Sequence, residues 1–143
     1  MSRIITVAAA QLGPIQKAEP RSVAVARMVR LLERAHLFVS ASSYEGFGLA
    51  TIEAMSAATV VLVTSVGAHA DVIRDGVSGF LMDQDASAFS AHMEHVLSLP
   101  PEKLAQIGEA AREATRRFSW MQVAPRYEQL YREVLTNGAV QAS

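Results

Sequence analysis

The chain has 143 residues, enough for one domain with its own core and too few for two. Hydrophobic residues make up 50% and charged residues 19%, a globular composition, and no apolar run approaches the roughly 20 residues that cross a bilayer. A formal net charge of −1 argues against a broad nucleic-acid footprint, and the lack of cysteine excludes disulfides, thiolate metal sites and thiol nucleophiles. A cysteine-free chain fits a reducing, cytoplasmic setting, and the apolar run at its N-terminus is too short for a signal peptide.

Residues 4–10 are apolar and rich in β-branched side chains, and Gly13 and Pro14 follow, so they predict a buried strand and a turn. From Pro20 the residues Val25, Met28, Val29 and Leu32 fall at helical spacing. They predict an amphipathic helix whose Arg27, Arg30, Glu33 and Arg34 face water. Residues 36–40 predict a second strand, 50–57 a helix, and 59–64 a third strand whose unbroken Val60-Val61-Leu62-Val63 implies burial on both faces. Strands alternating with helices across short loops imply a parallel sheet joined by right-handed crossovers.

A short helix at residues 70–74, a turn at Asp75-Gly76 and a fourth strand at 79–82 come next. The remainder is helical. Phe89, Met93, Val96 and Leu97 form one apolar stripe, Pro100 and Pro101 interrupt it, and Leu104, Ile107, Ala111 and Ala114 form another. Ser119 fits the N-cap of a last helix carrying Val123, Tyr127, Leu130, Tyr131 and Val134. Pro125 inside that pattern is expected to kink the helix or move its start, and residues 137–143 read as a frayed tail. Trp120, Tyr127 and Tyr131 read as packing residues. The fold class is α/β: a single Rossmann-like three-layer domain with a mostly parallel sheet of about four strands and a helical C-terminus.

The segment between the second strand and the next helix carries the chemistry. In an open parallel sheet ligands bind beyond the carboxyl ends of the strands, and residues 42–53 lie there. Gly46 and Gly48 allow close backbone approach, and the helix they open offers unpaired N–H groups and the positive end of its dipole to phosphate oxygens. Glu45 and Glu53 bracket the turn with seven residues between them. A carboxylate accepts two hydroxyl hydrogen bonds at once, which suits a sugar or ribose diol. On spacing alone the plainer alternative leads: a solvated loop acid and a carboxylate favoured by a helix dipole.

Glu45-Gly46-Phe47-Gly48-Leu49 followed by Glu53-Ala54-Met55 resembles the ExxxxxxxE signature of GT-B glycosyltransferase family 4. Leu37-Phe38-Val39-Ser40, Val60-Val61-Leu62-Val63, Asp71-Val72-Ile73, Gly79-Phe80-Leu81 and Phe118-Ser119-Trp120 occur in that family's order, so the resemblance covers residues 37–135. It implies that Glu45 hydrogen-bonds hydroxyls of the transferred sugar. The amides of Phe47, Gly48 and Leu49 approach the sugar and diphosphate, and Glu53 holds the ribose hydroxyls. The implied ligand is a UDP-, GDP- or ADP-sugar, with no cofactor and no catalytic metal. The implied reaction moves the sugar to an acceptor with retention.

The family's acceptor-binding domain is missing, as is the strand-loop carrying the Arg and Lys that clamp the diphosphate. The chain is therefore expected to be the donor-binding half of a retaining glycosyltransferase, without catalysis of its own. Residues 1–36 resemble instead the opening of the carbon-nitrogen hydrolases, through Ile4-Ile5-Thr6-Val7 and Ala10-Gln11-Leu12-Gly13-Pro14. That activity needs a cysteine and does not carry over. The two resemblances suggest a chimera, natural or engineered, joined near residues 34–37, with a glycosyltransferase-derived unit at 37–136 and a tail at 137–143. The alternative function is a folded chimera or scaffold with no ligand.

Ala58 and Ala68 stand where the family commonly has glycine, and Ala58 is expected to avoid the left-handed region. His69 lies near the proposed site and could touch a ligand. His92 and His95, three apart on a helix, read as structural or solvent-exposed because no third metal ligand is near. In full members of the family the last helices cross to the other domain, so here their face is expected to be open and to favour self-association.

Overall fold

The computed structural model describes residues 19–141, with side chains described for 19–136. The strand expected at residues 4–10 and the turn at Gly13-Pro14 lie outside the described residues. The elements run α1 (Arg21–Arg34), β1 (Leu37–Ser40), α2 (Leu49–Ser56), β2 (Val60–Thr64), α3 (His69–Val72), β3 (Phe80–Met82), α4 (Ala86–Ser98), α5 (Pro101–Thr115), a 3-10 turn (Arg116–Phe118) and α6 (Trp120–Gln141). The three strands are all parallel, in the order β1-β2-β3.

The central strand carries the three-layer arrangement. All five residues of β2 are buried, as its unbroken apolar run requires. Successive side chains point to opposite faces of a sheet. Val61 and Val63 accordingly join Ala54, Met55, Val72, Ile73 and Ala111 on one face, where α2 and α3 lie. Val60 and Leu62 join Phe80, Met82, Val96 and Ile107 on the other, which α4 covers. The stripe on α5 serves both clusters, through Ala111 and Ala114 on one and Ile107 and Leu104 on the other. At Gly108 a side chain would bring a Cβ within 2.2 Å of the Ala58 carbonyl oxygen, so glycine is what lets α5 close onto the end of α2.

Three expectations change. On α1 the inward face is Ala24, Met28 and Leu32, while Val25 and Val29 are exposed. Spacings of four keep Ala24, Met28 and Leu32 on one side, and the short Ala24 lets the helix approach. Proline at position 125 does not move the start of the last helix, which begins at Trp120. The hydrogen bond it removes would have gone to the carbonyl of Met121, a residue 86% exposed, so the loss falls at the surface and leaves no buried group unpaired. The expected tail is helical as far as Gln141. Propagation through Gly138 costs only about 1 kcal/mol once the helix exists.

Ala58 also departs from expectation. It sits at φ +60, in the left-handed region it was expected to avoid. The cause is the way α2 ends: Thr59 N–H donates to Ala54 C=O (3.0 Å) and Ala58 N–H to Met55 C=O (2.9 Å). These two bonds make a Schellman cap, whose C′ residue is left-handed whatever its side chain. Alanine there carries a strain of about 1–2 kcal/mol that glycine would not. Ala68 adopts an ordinary right-handed conformation, and its replacement of glycine strains nothing.

Candidate functional site

The loop from Ala41 to Gly48 joins β1 to α2 beyond the carboxyl ends of the strands, as expected. It is held from beneath. The Thr64 hydroxyl at the end of β2 donates to Ser42 C=O (2.6 Å), and the hydroxyls of Ser40 and Ser42 are 3.0 Å apart. Gly67, at φ +54, lies so close under the loop that a Cβ there would stand 1.7 Å from the Glu45 carbonyl oxygen. No residue with a side chain fits without moving Glu45.

Gly48 is the N-cap of α2, buried, at φ 75 and ψ 46. This left-handed residue turns the chain abruptly into the helix. The first ladder bond runs from Ile52 N–H to Gly48 C=O (3.0 Å), so the N–H groups of Leu49, Ala50 and Thr51 are the free donors of the first turn. They supply the helix's positive end. The side chain of Glu45 folds back over this corner, its Cγ 3.5 Å from where a Gly48 Cβ would be. Glu45 is half-buried, Leu49 exposed, and Glu53, the fifth residue of α2, exposed. Gly46 differs from Gly48: its φ is not left-handed, and a Cβ would meet nothing within 4 Å.

His69 has a different role from the ligand contact considered for it. It is 1% exposed and belongs to the scaffold. Its Nδ1 donates to Thr64 C=O (2.8 Å), and its Nε2 shares a hydrogen bond with the Thr51 hydroxyl (3.1 Å). The ring thus ties the end of β2 to the first turn of α2. It also fills the space over Gly48, where a Cβ would come within 2.9 Å of Nε2.

The Phe47 ring, 47% exposed, packs edge-on against Phe118 at 5.4 Å. Arg117 lies over the Phe118 ring at 4.7 Å and donates from Nη2 to Asp71 C=O (2.9 Å). Sequence reasoning missed this brace of Phe47, Phe118 and Arg117. Its partners are far apart in the chain, and no local pattern links them. A cleft of about 500 Å³ also opens at the carboxyl ends of the strands, lined among others by Ala41, Thr64, Met82, Asp83 and Phe89. None of the six candidate residues lines it, because it lies on the α4 side of the sheet and α2 on the other.

His92 and His95 do not come together as ligands. His92 Nδ1 donates to Ala88 C=O (2.8 Å), and the His95 ring meets Phe80 edge-on at 6.1 Å. Among the described residues no three His, Asp or Glu side chains gather as a metal set. Trp120, Tyr127 and Tyr131, expected to pack, are exposed instead. Among the described residues the last helix touches little beyond the 3-10 turn before it, and its apolar side is exposed.

The sequence profile of the family described as glycosyl transferases group 1 matches residues 22–114. The chain belongs to that family. Among its relatives, the alpha-maltose-1-phosphate synthase of Mycolicibacterium smegmatis is 37% identical over 111 residues, covering 73% of this chain and 29% of the relative. The structure of sucrose-phosphate synthase from Thermosynechococcus elongatus superposes with a TM-score of 0.71 at 31% identity, over 75% of this chain and 27% of that one. Anabaena HepE in complex with UDP-glucose shares the fold, with a TM-score of 0.67 at 22% identity over 74% of this chain and 30% of its own. The chain thus spans under a third of the length of these proteins. The α/β fold with a parallel sheet is the one seen in GT-B glycosyltransferases. The family match begins at residue 22 and includes α1, so it lends no support to a hydrolase-like unit joined near residues 34–37.

Proposed function

We propose that this chain is the nucleotide-sugar-binding half of a retaining glycosyltransferase, with the donor seated over the N-terminus of α2. In this reading Glu45 hydrogen-bonds the hydroxyls of the donor sugar, and Glu53 the ribose. The amides of Phe47, Gly48 and Leu49 approach the sugar and diphosphate, with Gly46 giving the backbone room. The observation that carries it is the left-handed Gly48, which aims the free N–H groups of residues 49–51 past a half-buried Glu45. Oriented N–H groups are suited to a diphosphate, whose charge must otherwise be met by cations or metal. The relative solved with UDP-glucose supports the ligand class. The family's metal-free chemistry and the cytoplasmic setting suggested by the lack of cysteine belong to the same proposal.

Catalysis is assigned to a longer assembly, since the relatives are more than three times as long as the stretch matched here. Among the described residues no helix is long and apolar enough to cross a membrane. The test is a thermal-shift and calorimetric titration with UDP-, GDP- and ADP-sugars. A rise in melting temperature with one of them is expected, abolished by Glu53→Ala and reduced by Glu45→Ala. No shift with any nucleotide sugar at millimolar concentration sinks the reading and leaves a folded scaffold without a ligand.

A further inference from the structure

The loop that carries Glu45 is anchored at both ends to one residue of the central strand. Thr64 closes β2 and is 1% exposed, and the pairing with β3 runs on past it through Ser65 N–H to Met82 C=O (2.9 Å), so Thr64 is fixed in the sheet. It uses both of its oxygens on the loop. Its hydroxyl holds the beginning, donating to Ser42 C=O (2.6 Å). Its carbonyl accepts from His69 Nδ1 (2.8 Å), whose Nε2 reaches the Thr51 hydroxyl (3.1 Å) at the far end. Between these two points the backbone of Gly67 bears on the Glu45 carbonyl. The three side chains are buried, Thr51 at 3% and His69 at 1%.

A core that needed only filling would be served by apolar side chains at these positions. Buried polar groups are costly unless paired, and among the described residues no buried side-chain nitrogen or oxygen lacks a partner. What the polar version adds is direction, since a hydrogen bond fixes an angle as well as a distance. A bond of the same kind lies at the opposite end of β2, where the Thr59 hydroxyl donates to Leu32 C=O (2.7 Å). That bond joins the sheet to α1 and touches nothing in the loop.

We propose that Thr64 and His69 are positioning residues for the donor seat. They clamp residues 42–51 at both ends, so that Glu45 and the free N–H groups of Leu49, Ala50 and Thr51 hold their binding arrangement before a ligand arrives. The role rests on the donor reading above and adds that the seat is preformed, so that binding carries little cost of ordering the loop.

Two measurements on the full chain test this. Nitrogen-15 relaxation of the ligand-free protein should give residues 42–48 backbone order parameters near the rigid value of about 0.85, falling toward about 0.6 in Thr64→Val and in Thr51→Val. Calorimetry with the UDP-, GDP- or ADP-sugar that the parent binds should show Kd raised about five- to tenfold in either variant, the worth of one hydrogen bond. The double variant should be weaker by less than the product of the two, because a loop freed at one end has already lost its fixed shape. Thr64→Ser and Thr51→Ser keep the hydroxyl and should restore affinity. Thr59→Val should lower the melting temperature as Thr64→Val does and leave Kd unchanged. Unchanged order parameters, or an unchanged Kd in both valine variants, would overturn the proposal. So would a Kd raised equally by Thr59→Val, which would make the effect one of general stability. A parent that binds no nucleotide sugar refutes the donor seat and the positioning role with it, and the order parameters then decide whether the clamp exists.

Discussion

Replacing Gly67 with alanine would place a Cβ 1.7 Å from the Glu45 carbonyl oxygen and 2.8 Å from its carbonyl carbon. Both obstacles are backbone, so no rotamer change relieves them. The residue is also at φ +54, where alanine carries about 1–2 kcal/mol of strain. Adding the usual overpacking cost of about 1–3 kcal/mol gives a loss of about 2–5 kcal/mol, or a melting temperature lower by about 8–20 °C. At Gly48 the same substitution meets the His69 ring at 2.9 Å, a side chain that can yield, and costs about 2–3 kcal/mol. At Gly46, with open space and no left-handed φ, alanine should be neutral or stabilise by up to about 1 kcal/mol. Urea denaturation of the three variants measures the series directly. The reasoning fails if Gly46→Ala destabilises as much as Gly67→Ala, or if Gly67→Ala is silent.

Other outcomes follow from the same geometry. Ala58→Gly should stabilise the fold by about 0.5–1 kcal/mol, because relief of left-handed strain exceeds the added freedom of the unfolded chain; its denaturation midpoint should rise with the slope unchanged. Asp85 is the N-cap of α4 and accepts from Ser87 N–H and Ala88 N–H, both 2.9 Å away. Its bonds with the Ser87 hydroxyl first, then with those two amides, hold its carboxyl below the usual carboxylate range. A depressed folded pKa stabilises above the unfolded value near about 3.9 and loses that contribution as pH falls through the folded one. Melting curves taken from pH 5 down to about pH 2 should therefore show an acid-side loss that Asp85→Asn lessens. An identical pH profile for the two proteins would refute the assignment.

How much was legible can be argued from single residues. Val60-Val61-Leu62-Val63 announced a buried parallel strand because a short, β-branched apolar run without alternation suits a strand covered on both faces. The helices on either side and the N-terminal corner of α2 followed from periodicity and glycine placement, which are local properties. The sequence also marked Gly46 and Gly48 as equals. Only the fold separates them, since Gly48 alone is left-handed and pressed under His69. His69 shows the same limit. A histidine near a loop reads as a ligand candidate, yet its two nitrogens are taken by Thr64 and Thr51, brought together from different elements. The inward face of α1, the strained Ala58 cap and the Phe47–Phe118–Arg117 brace were likewise settled by packing between segments distant in the chain. Sequence by itself determined most of the described elements, their parallel order and the position of the glycine-rich loop beyond the strand ends. Tertiary structure decided which polar groups there are free and which are consumed in holding the loop, because a hydrogen bond or a van der Waals limit depends on neighbours that local pattern does not name.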